Sequence, residues 1–306
     1  MLLPKILLTM ILSSLVFGMD AYSQEKKSKQ KKRQAAPFKW VNGSKRTLPA
    51  GVKHVTFRSP SMGVDVGYCL YLPPAYTGEP TRRFPVVYHL HGGRPGSELK
   101  SVQLAGFVDA AIRDKKIAPT IYVFPNGGPM SWYNYPGKEN WEGEDVFVKE
   151  LIPHIDKKYR TIGERGGRAI EGFSQGGRGA TRIMFKYPQL FCSAAPGGSG
   201  YEPEKRIQES GGAESEKVKF AAGDNAWDLA KDFSTRDGAP ELRILLWVGT
   251  KGFNYEFNLK FSKYLDELGI GHQSLVVPDA THSAKLIYQK KGTELMRFHQ
   301  QGFDSK

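Results

Sequence analysis

From about residue 45 onward, short apolar runs alternate with segments in which apolar residues recur every three or four positions. The short runs predict buried β-strands, and the recurring spacing predicts helices that pack on them. The alternation predicts an α/β fold with a mostly parallel central sheet and helices on both faces. Strands are predicted at residues 52–57, 66–72, 84–90, 120–124, 168–173, 242–248 and 275–277, the first two forming an antiparallel hairpin.

Among the predicted helices, the clearest is at 176–187, where Ala180, Ile183, Met184 and Tyr187 share one face. Further helices are predicted at 102–114, 145–158, about 257–268 and 284–299. No internal repeat is present, so we expect residues 45–306 to form one domain.

The first 23 residues have the pattern of a cleaved export signal. An apolar run at 6–19 follows Lys5, and Ala21 and Ser23 supply the small residues that a signal peptidase reads. About 14 helical residues reach roughly 21 Å, short of the ~30 Å hydrocarbon core, which disfavours a membrane anchor. We therefore expect a mature protein that is secreted or periplasmic.

Residues 24–44 are predicted to be a basic, disordered linker. Residues 24–34 hold six Lys or Arg side chains against Glu25 and no apolar side chain to bury. The whole chain has a formal charge of +13. An exported basic chain is expected to be attracted weakly to anionic polysaccharide or membrane surfaces and not to nucleic acid, with a purely solubilising tail as the alternative.

The two cysteines, Cys69 and Cys192, lie in apolar runs and are predicted to be buried, unpaired thiols. Two cysteines cannot form a disulfide framework or a four-thiolate zinc site, and the seven histidines show no metal-ligand spacing. A structural metal is therefore not predicted.

Residues 172–176 read Gly-Phe-Ser-Gln-Gly and match the G-x-S-x-G pattern. The pattern is short, but here Ser174 ends a predicted strand and begins a predicted amphipathic helix. Glycines on either side allow the tight turn that lifts a serine hydroxyl above a sheet. Ser174 is therefore the candidate nucleophile, and the alternative is a glycine-rich turn with an idle serine.

Two backbone N–H groups are candidates for binding an oxyanion. The Gln175 N–H lies at the start of the helix, where the helix dipole assists. The Gly93 N–H lies in the His91-Gly92-Gly93 turn that follows an earlier strand, and a residue without Cβ lets the backbone approach a substrate. His91 itself is predicted to be structural.

A nucleophilic serine needs a base, and His282 is the candidate. It lies in the loop between the last predicted strand and the last predicted helix, which should face the nucleophile turn. The remaining histidines lie in or beside predicted strands and helices, where a packed or exposed neutral ring is the default.

With these motifs the chain resembles the α/β-hydrolases of the esterase D and feruloyl esterase type, carbohydrate esterase family one. The likeness extends over about residues 84–282 and includes Asn126-Gly127, residues 150–156 and Gly249-Thr250. The resemblance implies a serine carboxylesterase that needs no cofactor and acts on feruloyl or acetyl groups of plant polysaccharides. A formylglutathione thioesterase is disfavoured, because its substrate is cytosolic.

One departure from the family pattern concerns the acid of the triad. The resemblance places that aspartate where this chain has Gly252. Glu256, one helical turn later, is the first candidate to replace it, and Asp224 or Asp228 the second. Asp279 lies too near His282 along the chain. A weak or inactive hydrolase that binds carbohydrate or a surface is the alternative function.

Trp132, Tyr133, Tyr135 and Trp141 crowd a loop after the fourth predicted strand, at the sheet end where ligands bind. Trp132 and Tyr133 are predicted to stack on a sugar or aryl group of the substrate. Aromatic packing of the loop on itself is an equal alternative.

Overall fold

A computed structural model of the chain describes residues 37–43, 47–209 and 211–305. The predicted export signal and most of the predicted linker lie outside these residues. Eight strands form one sheet in the order β1-β2-β4-β3-β5-β6-β9-β10. β1 and β2 pair with their neighbours in antiparallel fashion, and the pairs from β4 to β10 are parallel. The predicted α/β architecture is confirmed.

The strands of the large sheet are β1 (Val52–Arg58), β2 (Asp65–Tyr71), β3 (Val86–Leu90), β4 (Ile121–Pro125), β5 (Arg168–Phe173), β6 (Ser193–Gly197), β9 (Arg243–Lys251) and β10 (Gln273–Thr281). A separate two-stranded hairpin pairs β7 (Ala213–Ser215) with β8 (Val218–Lys219). All residues of β3 to β6 are buried, because helices cover both faces of the sheet.

The helices are α1 (Ala75–Gly78), α2 (Ala105–Arg113), α3 (143–158), α4 (Gln175–Lys186), α5 (Tyr201–Glu209), α6 (Ala226–Ser234), α7 (Tyr255–Glu267) and α8 (Ala284–Asp304). A π-helical segment, Val146–Leu151, lies within α3. In the part of the chain that the structure describes, no helix has the length and apolar character needed to cross a membrane.

The folded body begins earlier than residue 45. Residues 38–43, here called the N-terminal strap, lie against β2 and the loop after β4. The Trp40 carbonyl accepts hydrogen bonds from Gly67 N (2.8 Å) and Asn126 Nδ2 (3.1 Å). Asn42 N donates to Glu98 Oε1 at 2.7 Å. The apolar residues Phe38 and Trp40 distinguish the strap from the basic tract of residues 24–34.

Cys69 and Cys192 are both buried and unpaired, as predicted. Cys69 lies in β2, and Cys192 immediately precedes β6. Burial raises the pKa of the Cys69 thiol to about 12. Because the thiolate is the reactive form, this side chain acts as a small apolar filler of the core.

Candidate active site

Ser174 lies between β5 and α4 in a strained backbone conformation. Its φ of 60° and ψ of −115° are rare for a residue with a side chain. The Ser174 N–H donates to Gly197 O on the neighbouring strand at 2.8 Å, and Ser174 O accepts from Arg178 N at 3.1 Å. These bonds hold the turn that the sequence predicts.

The two glycines of the motif are required by close backbone approach. A Cβ at Gly172 would collide with the Gly176 carbonyl, and a Cβ at Gly176 would collide with the Leu90 carbonyl of β3. α4 can therefore begin directly above the sheet only because both positions lack side chains.

The loop after β3 packs against the serine. A Cβ at Gly92 would lie 3.1 Å from the Ser174 Cβ, so the two backbones are in contact there. Gly93 has a φ of 72°, and its carbonyl accepts from Ser131 Oγ at 2.7 Å. Gln175 is the first residue of α4, where N–H groups have no intrahelical acceptor. Both N–H groups predicted to bind an oxyanion thus belong to segments adjoining Ser174.

His91 supports this loop. Its Nδ1 lies 3.1 Å from Gly92 O, and its Nε2 accepts from Gly127 N (3.1 Å) and Ser97 N (3.2 Å). These bonds assign the ring as a neutral tautomer with the proton on Nδ1. Burial lowers the pKa of His91 to about 3. The ring stays neutral and joins the loop after β3 to the loop after β4, in agreement with a structural role.

His282 follows β10 and lies beside the serine turn. Its ring centroid is 4.6 Å from that of Phe173, the residue before Ser174, and 4.2 Å from that of Phe253. Burial lowers the pKa of His282, which favours the neutral ring that a base requires. Among the described residues, no hydrogen bond joins His282 to Ser174, and the buried Nδ1 atom has no hydrogen-bond partner.

None of the proposed acids contacts His282. Glu256 is exposed in the first turn of α7 and forms no hydrogen bond or ion pair within the described residues. Asp224 is paired with Arg182 and Lys186, Asp228 accepts from Asn225, and Asp279 is paired with Lys251 at 2.7 Å. The structure thus brings neither the first nor the second candidate to the imidazole.

Gly252, where the family pattern has its aspartate, is buried next to the histidine. A Cβ at this position would lie 3.8 Å from His282 N, 3.4 Å from Asn254 Oδ1 and 3.1 Å from Gly249 O. The first two are ordinary contact distances, and the third is tight. Asn254 Oδ1 is also buried without a hydrogen-bond partner among the described residues. A side chain introduced at 252 would therefore start close to the backbone of His282.

Trp132 and Tyr133 do not face a substrate, which differs from the predicted stacking role. Both are fully buried. Trp132 Nε1 donates to His91 O at 3.0 Å, and Tyr133 OH donates to Glu204 and accepts from Arg178. The aromatic loop is packed on itself and on α4, which is the alternative that the sequence left open.

A buried ionic cluster behind α4 was not foreseen. Arg178 and Arg182 are 1% and 0% exposed, and they pair with Glu204, Glu144 and Glu214 from α5, α3 and β7. The two arginines lie four residues apart on the side of α4 opposite the apolar stripe, where a helical pattern normally indicates solvent exposure, so the sequence carried no signal of this cluster. The cluster anchors the segments around α5 to the helix that carries Ser174.

A second buried cluster lies under the serine turn. Glu171, three residues before Ser174, has its Oε1 2.7 Å from His89 Nδ1 and its Oε2 3.4 Å from His299 Nε2. Tyr288 OH also donates to Glu171. Burial by itself would raise the pKa of Glu171, but the contacts with His299 and His89 hold it well below the ordinary value.

No group of three His, Cys, Asp or Glu side chains within residues 37–43, 47–209 and 211–305 has an arrangement suited to a metal ion.

Several curated proteins resemble part of this sequence. Esterase Rv1288 of Mycobacterium tuberculosis is 34% identical over 144 residues, which are 45% of this chain and 30% of that protein. An endo-1,4-beta-xylanase/feruloyl esterase of Xylanibacter ruminicola is 35% identical over 148 residues, 46% of this chain and 20% of that protein. The matches therefore span less than a third of each relative's own length.

The fold has solved counterparts. A ferulic acid esterase structure superposes with a TM-score of 0.68 at 22% identity, covering 82% of this chain and 98% of that one. The fold is thus that of the α/β-hydrolases, as the motifs around Ser174 indicate. The model of the Esterase family, described as "Putative esterase", matches residues 59–267. Because that match spans more than half of the sequence, the chain belongs to the Esterase family.

Proposed function

We propose that this protein is a serine carboxylesterase that hydrolyses carboxylic esters through an acyl-enzyme on Ser174. The observation that supports the proposal most strongly is the strained turn at Ser174, held between close-packed glycines and in contact with the loop that carries Gly93. Backbone strain of this kind costs about 1–3 kcal/mol and persists where the surrounding structure imposes it, commonly at active sites.

In the proposed reaction Ser174 Oγ attacks the ester carbonyl carbon while His282 takes its proton. The negative charge that forms on the carbonyl oxygen is bound by the N–H groups of Gly93 and Gln175. The C–O bond to the alcohol breaks, and the alcohol leaves with the proton from His282. Water then attacks the acyl-serine in the same way, which releases the carboxylic acid and regenerates both residues.

For substrates we propose feruloyl or acetyl esters on polysaccharide. The support is the naming of one relative as a xylanase/feruloyl esterase and of a structural neighbour as a ferulic acid esterase. Export through residues 1–23 and weak attraction of the basic tract to anionic surfaces belong to the same proposal. Amino-terminal sequencing of the protein recovered outside the cytoplasm tests the first: cleavage near Ser23 is expected, and an intact leader contradicts it.

The test is pre-steady-state hydrolysis of 4-nitrophenyl acetate and of methyl ferulate. We expect a burst of product stoichiometric with enzyme, followed by slower turnover, and loss of both in Ser174→Ala. Ser234→Ala, which removes an exposed hydroxyl at the end of α6, is the matched control and should retain the burst. Turnover that survives in Ser174→Ala would refute the acyl-enzyme.

A second function is favoured by one observation, the absence of a carboxylate partner for His282 among the described residues. We infer that the alternative is a binding protein for carbohydrate or surfaces built on a hydrolase fold. Ester hydrolysis that is absent in the wild type, together with Ser174-independent retention on xylan, would favour this alternative.

A further inference from the structure

A groove of about 690 Å³ begins next to the loop that carries Gly93 and runs between the start of α2 and the start of α8. It is lined in part by Lys100, Gln103, Leu104, Phe107, Ala284 and Lys285. Ala284 is two residues from His282, and Lys100 approaches Gly93, so both walls of the groove are connected to the proposed catalytic groups.

Lys100 lines this groove, and its ammonium is held by the loop that carries Gly93. Its Nζ donates to Pro95 O at 2.6 Å and would lie 3.3 Å from a Cβ at Gly93. In the part of the chain that the structure describes, neither Lys100 nor Lys285 forms an ion pair. Burial lowers the pKa of Lys100, because it removes water from around the ammonium. A bound anion would stabilise the ammonium in place of part of that water.

The charge of this groove differs from that of another surface groove. The groove at Lys100 has two lysines and no carboxylate in its lining. The groove between the loop after β1 and α3 is lined by Glu139, Glu142, Asp145 and Glu150 against Lys149. Leu104, Phe107 and Ala284 add an apolar surface to the lysine-lined groove.

We propose that this groove binds a carboxylate-bearing portion of the ester substrate, with Lys100 and Lys285 facing the carboxylate and Leu104 and Phe107 contacting its carbon skeleton. The inference rests on the proposed esterase function and adds a charge preference to it. A uronic acid in the alcohol portion and a dicarboxylic acyl portion share this chemistry, and matched substrates distinguish them.

The experiment measures kcat/KM for two pairs of esters that differ in one charge. For the alcohol portion, 4-acetoxybenzoate is compared with methyl 4-acetoxybenzoate. For the acyl portion, 4-nitrophenyl hydrogen adipate is compared with 4-nitrophenyl methyl adipate. We expect the anion to be preferred at least about fivefold in one pair, as for one charge-assisted contact. The preference should decrease in 0.5 M NaCl, because salt screens exposed charges.

The variants are Lys100→Gln and Lys285→Gln, with Lys53→Gln on the distant edge strand β1 as the control. The quantity compared is the kcat/KM of the charged ester divided by that of its neutral partner. We expect this ratio to approach one in Lys100→Gln, to fall less in Lys285→Gln, and to be unchanged in Lys53→Gln. Lys100→Arg should retain the preference. If the Lys100–Pro95 bond serves only to hold the loop, Lys100→Gln will lower both members of a pair equally, which contradicts the proposal.

Binding separates this inference from the esterase proposal. Calorimetric titration of Ser174→Ala with 4-acetoxybenzoate and its methyl ester should show tighter binding of the anion, lost when Lys100→Gln is added. If no ester is hydrolysed but this preference is found, the esterase proposal fails and the groove assignment stands. Equal binding of both esters, with hydrolysis intact, overturns the groove assignment and leaves the esterase proposal in place.

Discussion

Two sites in this protein place imidazole rings near the turn that carries Ser174, and they differ in how the rings are partnered. Under the turn, Glu171 contacts His89 and His299 in a fully buried cluster. At the open end of the sheet, His282 has two aromatic neighbours and an unpartnered Nδ1. The buried cluster therefore has the carboxylate that the proposed catalytic base lacks.

The comparison shows that a carboxylate beside a histidine does not by itself identify a catalytic pair. The Glu171 cluster is inaccessible to substrate and acts on the stability of the core below Ser174. His282 is only half-buried, and its Nδ1 has no hydrogen-bond partner among the described residues. Loss of an orienting carboxylate from a working serine triad costs on the order of 10⁴ in kcat, so the wild type is expected to be a slow esterase.

The largest effect is expected on stability, when the buried carboxylate of Glu171 is removed. Glu171→Gln keeps the side-chain shape but leaves His89 and His299 without their anion, and we expect a loss of about 3 kcal/mol in the free energy of unfolding. For a domain of this size that is a decrease in Tm of roughly 6–12 °C. Urea and thermal unfolding measure it, and Glu294→Gln at an exposed position of α8 should change stability by less than about 0.5 kcal/mol.

Acid should reduce the difference between Glu171→Gln and the wild type. The folded pKa of Glu171 lies well below the ordinary value, so the unfolded chain binds the extra proton as pH falls below about 4.3. The stabilisation from Glu171 is therefore complete above that pH and declines as pH falls toward the folded pKa. A constant difference in unfolding free energy from pH 6 to pH 3 would contradict this assignment.

The next largest effect is expected from giving His282 a carboxylate. In Gly252→Asp the Cβ of the new side chain lies 3.8 Å from the backbone N of His282, and we expect kcat for 4-nitrophenyl acetate to rise by about 10²-fold.

Gly252→Asn has the same size without the charge and should raise kcat much less. The close approach of a Cβ to Gly249 O makes a thermal-stability measurement on both variants necessary. A folded Gly252→Asp protein with wild-type kcat would exclude position 252 as a place from which an acid acts on His282.

The pH profile should change in the same variant. Burial lowers the pKa of His282, and the neutral ring is the base, so the acidic limb of kcat/KM in the wild type should lie below about pH 6.5. A carboxylate at 252 stabilises the imidazolium and should move that limb upward by about one pH unit. An acidic limb that remains in place would show that the new side chain does not interact with the ring.

The smallest effect on kcat is expected at Glu256, the residue that the sequence favoured as the acid of the triad. Glu256 is exposed and has no contact with His282 within the described residues, so Glu256→Gln should change kcat by less than about twofold. A reduction of 10²-fold would restore Glu256 as the orienting acid and would require α7 to move toward the histidine during catalysis.

The sheet could be predicted because many of its strands contain continuous apolar runs, as in β4 and β9, whose identity does not depend on distant residues. The segment from 201 to 234 could not, because α5, β7 and β8 are polar on average and are held by Arg178 and Arg94 through Glu204 and Glu214. Such pairings join residues far apart in the chain and have no local pattern.

The candidate active site likewise has one part that the sequence predicts and another that it does not. Ser174 and the glycines beside it are local, and the G-x-S-x-G pattern carries most of the information about the turn. The surroundings of His282 depend on how three loops meet, so the sequence alone could indicate that position 252 lacks an acid but not that Glu256 is exposed. Aromatic side chains are similarly ambiguous, since Trp132 and Tyr133 fill the core of a loop with the residue types that also bind sugars.

The N-terminal strap sets a practical limit on where the chain can be trimmed. Glu98 is 1% exposed, and its carboxylate accepts from Asn42 N and Nδ2, from Asn126 Nδ2 and from His54. A shortened protein that starts at residue 45 would keep the whole sheet. It would lose the two hydrogen bonds that Asn42 donates to the buried Glu98 carboxylate. Recombinant versions for crystallisation should therefore begin before Phe38.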